Sequence, residues 1–310
     1  MSEPIRRIMV GVATPDGSDP VLATALALAR AAGATLHVAY AFDLPAPVQS
    51  AYARAASLDS TVLDRYVDEV RRGLEAQVGA RAGGVTVVCH VVVGAASECI
   101  CRLAHEVAAD LLVVGTTRRN RTWSRSLGAT AEGIVWRSAV PVLVVTRPPG
   151  QEVRRVLLTS DLSALSAEVH ERGLDVVGAF FHRGAPETRC LLVVQDAELP
   201  FARSGETLEH VAQRELDRCL GERRPRGRAV QGKVRIGCPS DEILAEATDW
   251  QADLVLLGVQ GRAGPGPLRV GRVTGEVLRG AGRNVLVIPG TEREAGERVH
   301  AAHAFAGPVQ

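Results

Sequence analysis

The stretch GVQGRAGPGPLRVGR at residues 258–272 follows the apolar run DLVLL and precedes a helix-like run. A phosphate-cradling loop sits in that place, because glycines let backbone approach a ligand and the amides opening a helix attract anions. Gly258 and Gly261 can take positive φ, and Gly271 stands at the helix start, followed by the N–H groups of Arg272, Val273 and Thr274. Asp161, closing the run RVLLTSD, offers a carboxylate at the end of another apolar segment. Arg272 is the unusual member. Its guanidinium can pair with a phosphate, or it can fold back onto Asp161 and plug an empty site. A charge-assisted contact is worth roughly 1.5–3 kcal/mol in either case, so energy does not choose between them. Pro265 and Pro267 restrict φ within the loop and favour a preformed conformation.

Other chemistry is weakly represented. Near the loop there is no Walker lysine, HExxH, GxSxG or base-and-nucleophile pair, so no catalytic residues are assigned and a non-enzymatic protein is expected. Cys101 and His105 lie one helical turn apart with Cys99 nearby, but no second ligand pair stands at zinc spacing, and no metal site is assigned. Cys89, Cys190 and Cys219 sit in or beside apolar runs as small hydrophobes, and His170 and His182 read as packing or surface residues. The loop TTRRNRTWSRS gathers Arg118, Arg119, Arg121 and Arg125 around Trp123; it reads as a solvated basic loop, with capture of an anion or a partner as the alternative.

The elements that must position these residues come from a repeat. GAASECICRLAHEVAADLLVVGTTR at 94–118 lies over GCPSDEILAEATDWQADLVLLGVQG at 237–261, matching Gly94 to Gly237, Ser97 to Ser240, Ile100 to Ile243, Asp110 to Asp253 and Gly115 to Gly258. Each pair is offset by 143 positions, and the same offset carries Gly128 onto Gly271 and VLVV at 142–145 onto VLVI at 285–288. Such a register means two copies of one fold.

In the first copy the strands are RIMVGV, TLHVAYA, TVVCHVVV, DLLVVG and VPVLVV, with helices near residues 20–32, 58–79, 96–109 and 127–138. The second offers RVLLTS, RCLLVV, GKVRI, DLVLLG and NVLVIP. Near-continuous Val/Leu/Ile strands separated by helices predict parallel sheets covered on both faces, an open doubly wound α/β architecture with five strands per copy. The expected domains are residues 1–147 and 153–290, with a polar tail at 291–310 that reads as mobile.

The chain has 310 residues, 46% hydrophobic, which suits two cores. With 36 basic against 35 acidic residues, nothing global points to nucleic acid or an anionic membrane. No apolar run reaches the roughly 18–20 residues that span a bilayer, and the N-terminus lacks a signal peptide's apolar segment. A cytoplasmic protein is expected. Six cysteines in such a chain make no disulfide framework.

These motifs carry a resemblance. Gly258-x-x-Gly261, nine residues and then Gly271, normally followed by Ser or Thr, resembles the ATP-binding signature of the universal stress protein family. VLLTSDLSALSAEV looks like that family's opening strand and helix, with Asp161 as its strand-end aspartate, and NVLVIPG is similar to its last strand. The resemblance covers both copies and implies a tandem member with Rossmann-like sheets, whose two last strands pair antiparallel as an internal pseudo-dimer. Pairing of whole chains into a homodimer stays open.

It also implies a site in the second copy formed by Asp161, Val194, Gly258, Gly261, Gly271, Arg272, Val273 and Thr274, with adenine near Val193 and Val194. The ligand implied is ATP or another adenine nucleotide, with no metal beyond nucleotide-bound Mg²⁺. The first copy departs from the pattern. Arg118 replaces the second glycine, Ala129 the Ser/Thr, and Ala13 the aspartate, with Asp16 close by. No family-type ATP binding is expected there. The function implied is a non-enzymatic, nucleotide-responsive stress regulator with an unknown protein partner; the alternative is a nucleotide-free interaction scaffold plugged by Arg272.

Overall fold

The computed structural model describes residues 5–16, 19–43, 61–116, 127–147, 153–180, 185–195, 207–223, 229–259 and 271–290. The first half runs β1 (Arg7–Val12), α1 (Pro20–Ala32), β2 (Thr35–Phe42), α2 (Thr61–Ala82), β3 (Val87–Val93), α3 (Ala96–Glu106), β4 (Leu111–Gly115), α4 (Ala129–Arg137) and β5 (Val142–Val145). The second runs β6 (Arg155–Ser160), α5 (Ala164–Phe180), β7 (Glu187–Val194), α6 (Leu208–Arg223), β8 (Gln231–Ile236), α7 (Pro239–Asp249), β9 (Leu254–Gly258), α8 (Arg272–Gly280) and β10 (Asn284–Ile288). Among the described residues no helix is long and apolar enough to cross a membrane.

The two five-stranded sheets join into one of ten strands, ordered β3-β2-β1-β4-β5-β10-β9-β6-β7-β8. Every pairing is parallel except β5 with β10, which is antiparallel through Val142↔Val287, Leu143↔Leu286 and Val144↔Val285. This is the pairing of last strands that the resemblance implied. Leu143 and Leu286 feed the core under α1, α2, α5 and α6, while Val142, Val144, Val285 and Val287 feed the core under α3, α4, α7 and α8. Each core layer therefore continues across both halves. The central strands read as apolar runs because both faces are covered: all five residues of β10 are buried. Asn284 is the polar member, and its side-chain oxygen accepts from the amides of Thr146 at 3.0 Å and Arg147 at 3.1 Å, holding the first half's exit against the second half's last strand.

Residues matched by the repeat turn out to be structural. Asp110 accepts from the amides of Arg6 and Arg7 at 2.7 and 2.8 Å, and Asp253 accepts from Arg154 and Arg155 at 2.8 and 3.0 Å. In each half this carboxylate ties the start of the first strand to the start of the fourth. Gly94 and Gly237 hold φ of +134° and +149° where β3 and β8 turn into their helices, a region that side-chain-bearing residues rarely enter. α1 begins with Pro20 behind Asp19, whose carboxylate accepts from the Val21 amide at 3.1 Å, and ends at Gly33 with φ +63°.

Strand order reverses between β6 and β9, since β7 and β8 continue to one side and β10 lies on the other. In doubly wound sheets the crevice beyond the carboxyl ends of the strands at such a point is where ligands bind. Asp161 directly follows β6 and Gly258 ends β9.

Candidate functional site

A cleft of about 1010 Å³ opens at that point, floored by the ends of β6, β7 and β9 and flanked by the first turns of α5 and α8. It is at the upper end of ordinary ligand pockets. Asp161, Val194, Gly258, Gly271, Arg272, Val273 and Thr274 all line it. Gly261, Pro265 and Pro267 lie outside the described residues, as do His182, the arginine-rich loop at 118–125 and the tail at 291–310.

Asp161 is held firmly. One carboxylate oxygen accepts from the Ser163 amide at 3.0 Å and from the Ser166 hydroxyl, while the Asp161 amide donates to Ser166 Oγ at 3.2 Å. Ser163 Oγ in turn accepts from the Ser166 amide at 3.1 Å, which caps the first turn of α5. Leu162 between them sits at φ +60°, an uncommon conformation for a residue with a side chain. The serines of SDLSALS therefore fix the carboxylate at the mouth of the cleft.

At α8, Gly271 is the N-cap and donates its amide to Val259 O at 2.9 Å. The next three amides, of Arg272, Val273 and Thr274, open the helix and have no intrahelical acceptor by geometry. Two expectations change here. Gly258 stays in strand opposite Ile288 and Gly271 has φ −50°, so neither uses the left-handed freedom anticipated for Gly258. Thr274, buried at 5% exposure, donates its hydroxyl to Gly258 O at 2.8 Å, so its proton fastens α8 to β9 rather than waiting for a ligand.

Arg272 does not fold onto Asp161. Its Nη1 lies 3.3 Å from Glu276 Oε1 on its own helix, and its side chain is 66% exposed. The plugged-site alternative required the opposite orientation. Glu276 was missed in the sequence, although its spacing of four from Arg272 is the signal of a helical ion pair. Its carboxyl is held below the usual range first by the Ser240 hydroxyl and then by Arg272 and Arg279.

His170, for which a packing or surface role is expected, is a packing residue beside the site. It is a buried residue of α5 and donates Nε2–H to Thr159 O at 2.8 Å. Burial pushes its pKa down, against weaker upward pulls from the Thr159 bond and from Asp161. A histidine kept neutral in the fold contributes stability that is complete above its unfolded value of about 6.5 and is lost as pH falls through that value toward its folded one. The urea midpoint should therefore drop between pH 7 and 5.5 by more in the native chain than in His170→Gln. Parallel pH dependences in the two proteins would disprove the assignment.

The first half lacks a matching arrangement among its described residues. Asp19 Oδ2 accepts from the Ala13 amide at 2.9 Å, so that carboxylate serves as a helix cap, and the exposed Asp16 accepts from Thr14 Oγ1 at 2.8 Å. A Cβ on Gly115 would meet Val21 at 3.5 Å, so α1 packs close to the end of β4. Cys99 and Cys101 donate their thiols to Val93 O and Ile134 O, and burial pushes the Cys101 thiol up to about 12.

Both halves match the universal stress protein family, over residues 4–146 and 152–289. The chain belongs to this family. Its two universal stress protein repeats are the two halves of the ten-stranded sheet. No curated protein matches the chain. Among solved structures, a protein of unknown function from Pseudomonas aeruginosa PAO1 is 15% identical at a TM-score of 0.68, with 97% of this chain and 98% of that one covered. A universal stress protein from Archaeoglobus fulgidus is 18% identical at a TM-score of 0.59, covering 93% and 97%. Both show that the tandem fold recurs. A universal stress protein solved in complex with cAMP aligns at 29% identity over 46% of this chain and 98% of its own, with a TM-score of 0.32.

Proposed function

We propose that this tandem universal stress protein is a non-enzymatic regulator whose C-terminal half binds an adenine nucleotide. The observation that carries the reading is the convergence of the anchored Asp161 carboxylate and the opening turn of α8 on one cleft at the strand-order reversal. In this reading the phosphates meet the amides of Arg272, Val273 and Thr274 with the Arg272 guanidinium beside them. Asp161 faces the nucleoside, and the ends of β7 at Val193 and Val194 read the base edge. Any Mg²⁺ arrives bound to the phosphates. Thr274 positions the helix through Gly258. The first half serves as the fixed partner across β5 and β10.

Calorimetric titration of the full chain with ATP, ADP, AMP and cAMP tests this. Saturable binding of at least one nucleotide, with turnover no faster than a heat-killed control, is the expected result. No heat at millimolar ligand would overturn the nucleotide reading, and hydrolysis above the control would overturn the non-enzymatic one.

A further inference from the structure

Arg272 and Glu276 form a pair that belongs to the second half alone. The repeat offset of 143 places Ala129 and Gly133 at the equivalent positions, so both charges are missing together from the first half. The pair sits at the rim of the cleft, with Arg272 lining it and the two side chains 66% and 33% exposed. Glu276 is the less exposed of the two, and the neighbouring buried Ser240 hydroxyl favours its ionised carboxylate. The other charge facing Glu276 is Arg279, which is itself 3.1 Å from Glu132 of the first half. Ser240 Oγ additionally lies 3.4 Å from Cys238 Sγ. When the pair opens, Arg272 is therefore the side that swings.

We infer that Glu276 is a resident counter-ion for Arg272, which a ligand's phosphate must displace, and that this competition weakens nucleotides ending in a multiply charged phosphate, which take the guanidinium, more than cyclic phosphodiesters, which leave it on Glu276. The inference rests on the nucleotide-binding reading. A phosphodiester carries one negative charge, the same as the Glu276 carboxylate, so transferring Arg272 from one to the other gains little. A terminal phosphate carries more charge and three acceptor oxygens and takes the guanidinium away. Opening the pair costs only about a twofold factor, because exposed ion pairs four apart on a helix are weak. Glu276 is a positioning residue in this account, acting through Arg272 without touching ligand.

The test titrates ATP, cAMP and adenosine into four full-length proteins: native, Glu276→Gln, Arg272→Gln and the double variant. Arg272 is exposed and Glu276 half-buried, and far-ultraviolet circular dichroism checks that each variant folds. Glu276→Gln should tighten ATP about twofold and leave cAMP nearly unchanged, widening the preference, with adenosine unchanged. In the Arg272→Gln background the same change should have no differential effect. Equal tightening of ATP and cAMP, no change in either, or the same differential without Arg272 would each overturn the counter-ion role while leaving the nucleotide site standing. A native protein that binds none of the three would remove the site and this inference with it.

Discussion

Replacing Arg272 by glutamate should weaken ATP binding about a hundredfold while leaving the fold intact. Two effects add. The guanidinium contact with phosphate proposed above, worth about 1.5–3 kcal/mol, would be lost. A carboxylate then stands beside Glu276 at the opening of α8, opposing the field that draws phosphate there. Stability should change little, because the native side chain is 66% exposed and its ion pair is a weak surface one. Calorimetry with ATP and a thermal melt without ligand measure the two quantities separately. An unchanged Kd would mean the phosphates do not sit at α8; a lost fold would mean the arginine is structural after all. Arg272→Ser should give an intermediate affinity, since a hydroxyl can bond a phosphate without supplying charge.

The second large effect lies on the other side of α7. Glu246 is 2% exposed, and its two oxygens meet Arg189 Nη1 at 2.5 Å and Arg235 Nε at 2.7 Å. Arg235 also reaches Asp249 at 2.6 Å and Glu242 at 3.2 Å, and Arg189 stacks 4.4 Å from the Trp250 ring. The cluster clamps α7 onto β7 and β8. Glu246→Ala removes the central carboxylate and leaves two arginines crowded together in a largely desolvated place. Breaking a buried ion pair typically costs 3–5 kcal/mol. Here the arginines keep 18% and 22% exposure and Arg235 keeps other partners, so the loss should be about 3 kcal/mol. Urea unfolding followed by tryptophan fluorescence reads it, and a loss under about 1 kcal/mol would contradict the clamp. As a control, Arg71→Ala breaks only exposed pairs, with Asp68 and Glu75, and should leave the urea midpoint nearly unchanged.

Glu246 also marks the boundary of what could be read beforehand. The repeat offset places it opposite Leu103, which is 7% exposed, so this helix position faces the core in both halves. That a carboxylate is tolerated there depends on arginines 57 and 11 positions away, brought in from two strands. Asn284 is similar. It opens an apolar strand in the sequence, and only the antiparallel meeting of β5 and β10 gives its oxygen the amides of residues 146 and 147.

The fold was legible because its determinants are local and repeated. Apolar runs of strand length, helical intervals and a gap-free offset of 143 fix the number and order of elements, and right-handed crossovers then leave few arrangements. The site was legible to the level of its backbone frame, since strand ends and a helix start are placed by those same elements. The roles of its side chains were not. Thr274 and Arg272 both line the cleft, yet one donates its hydroxyl to Gly258 O and the other turns along its own helix to Glu276. Sequence set where these residues stand. Tertiary structure decided which way they face, because hydrogen-bond and ion-pair partners are chosen among neighbours that exist only after the chain has folded.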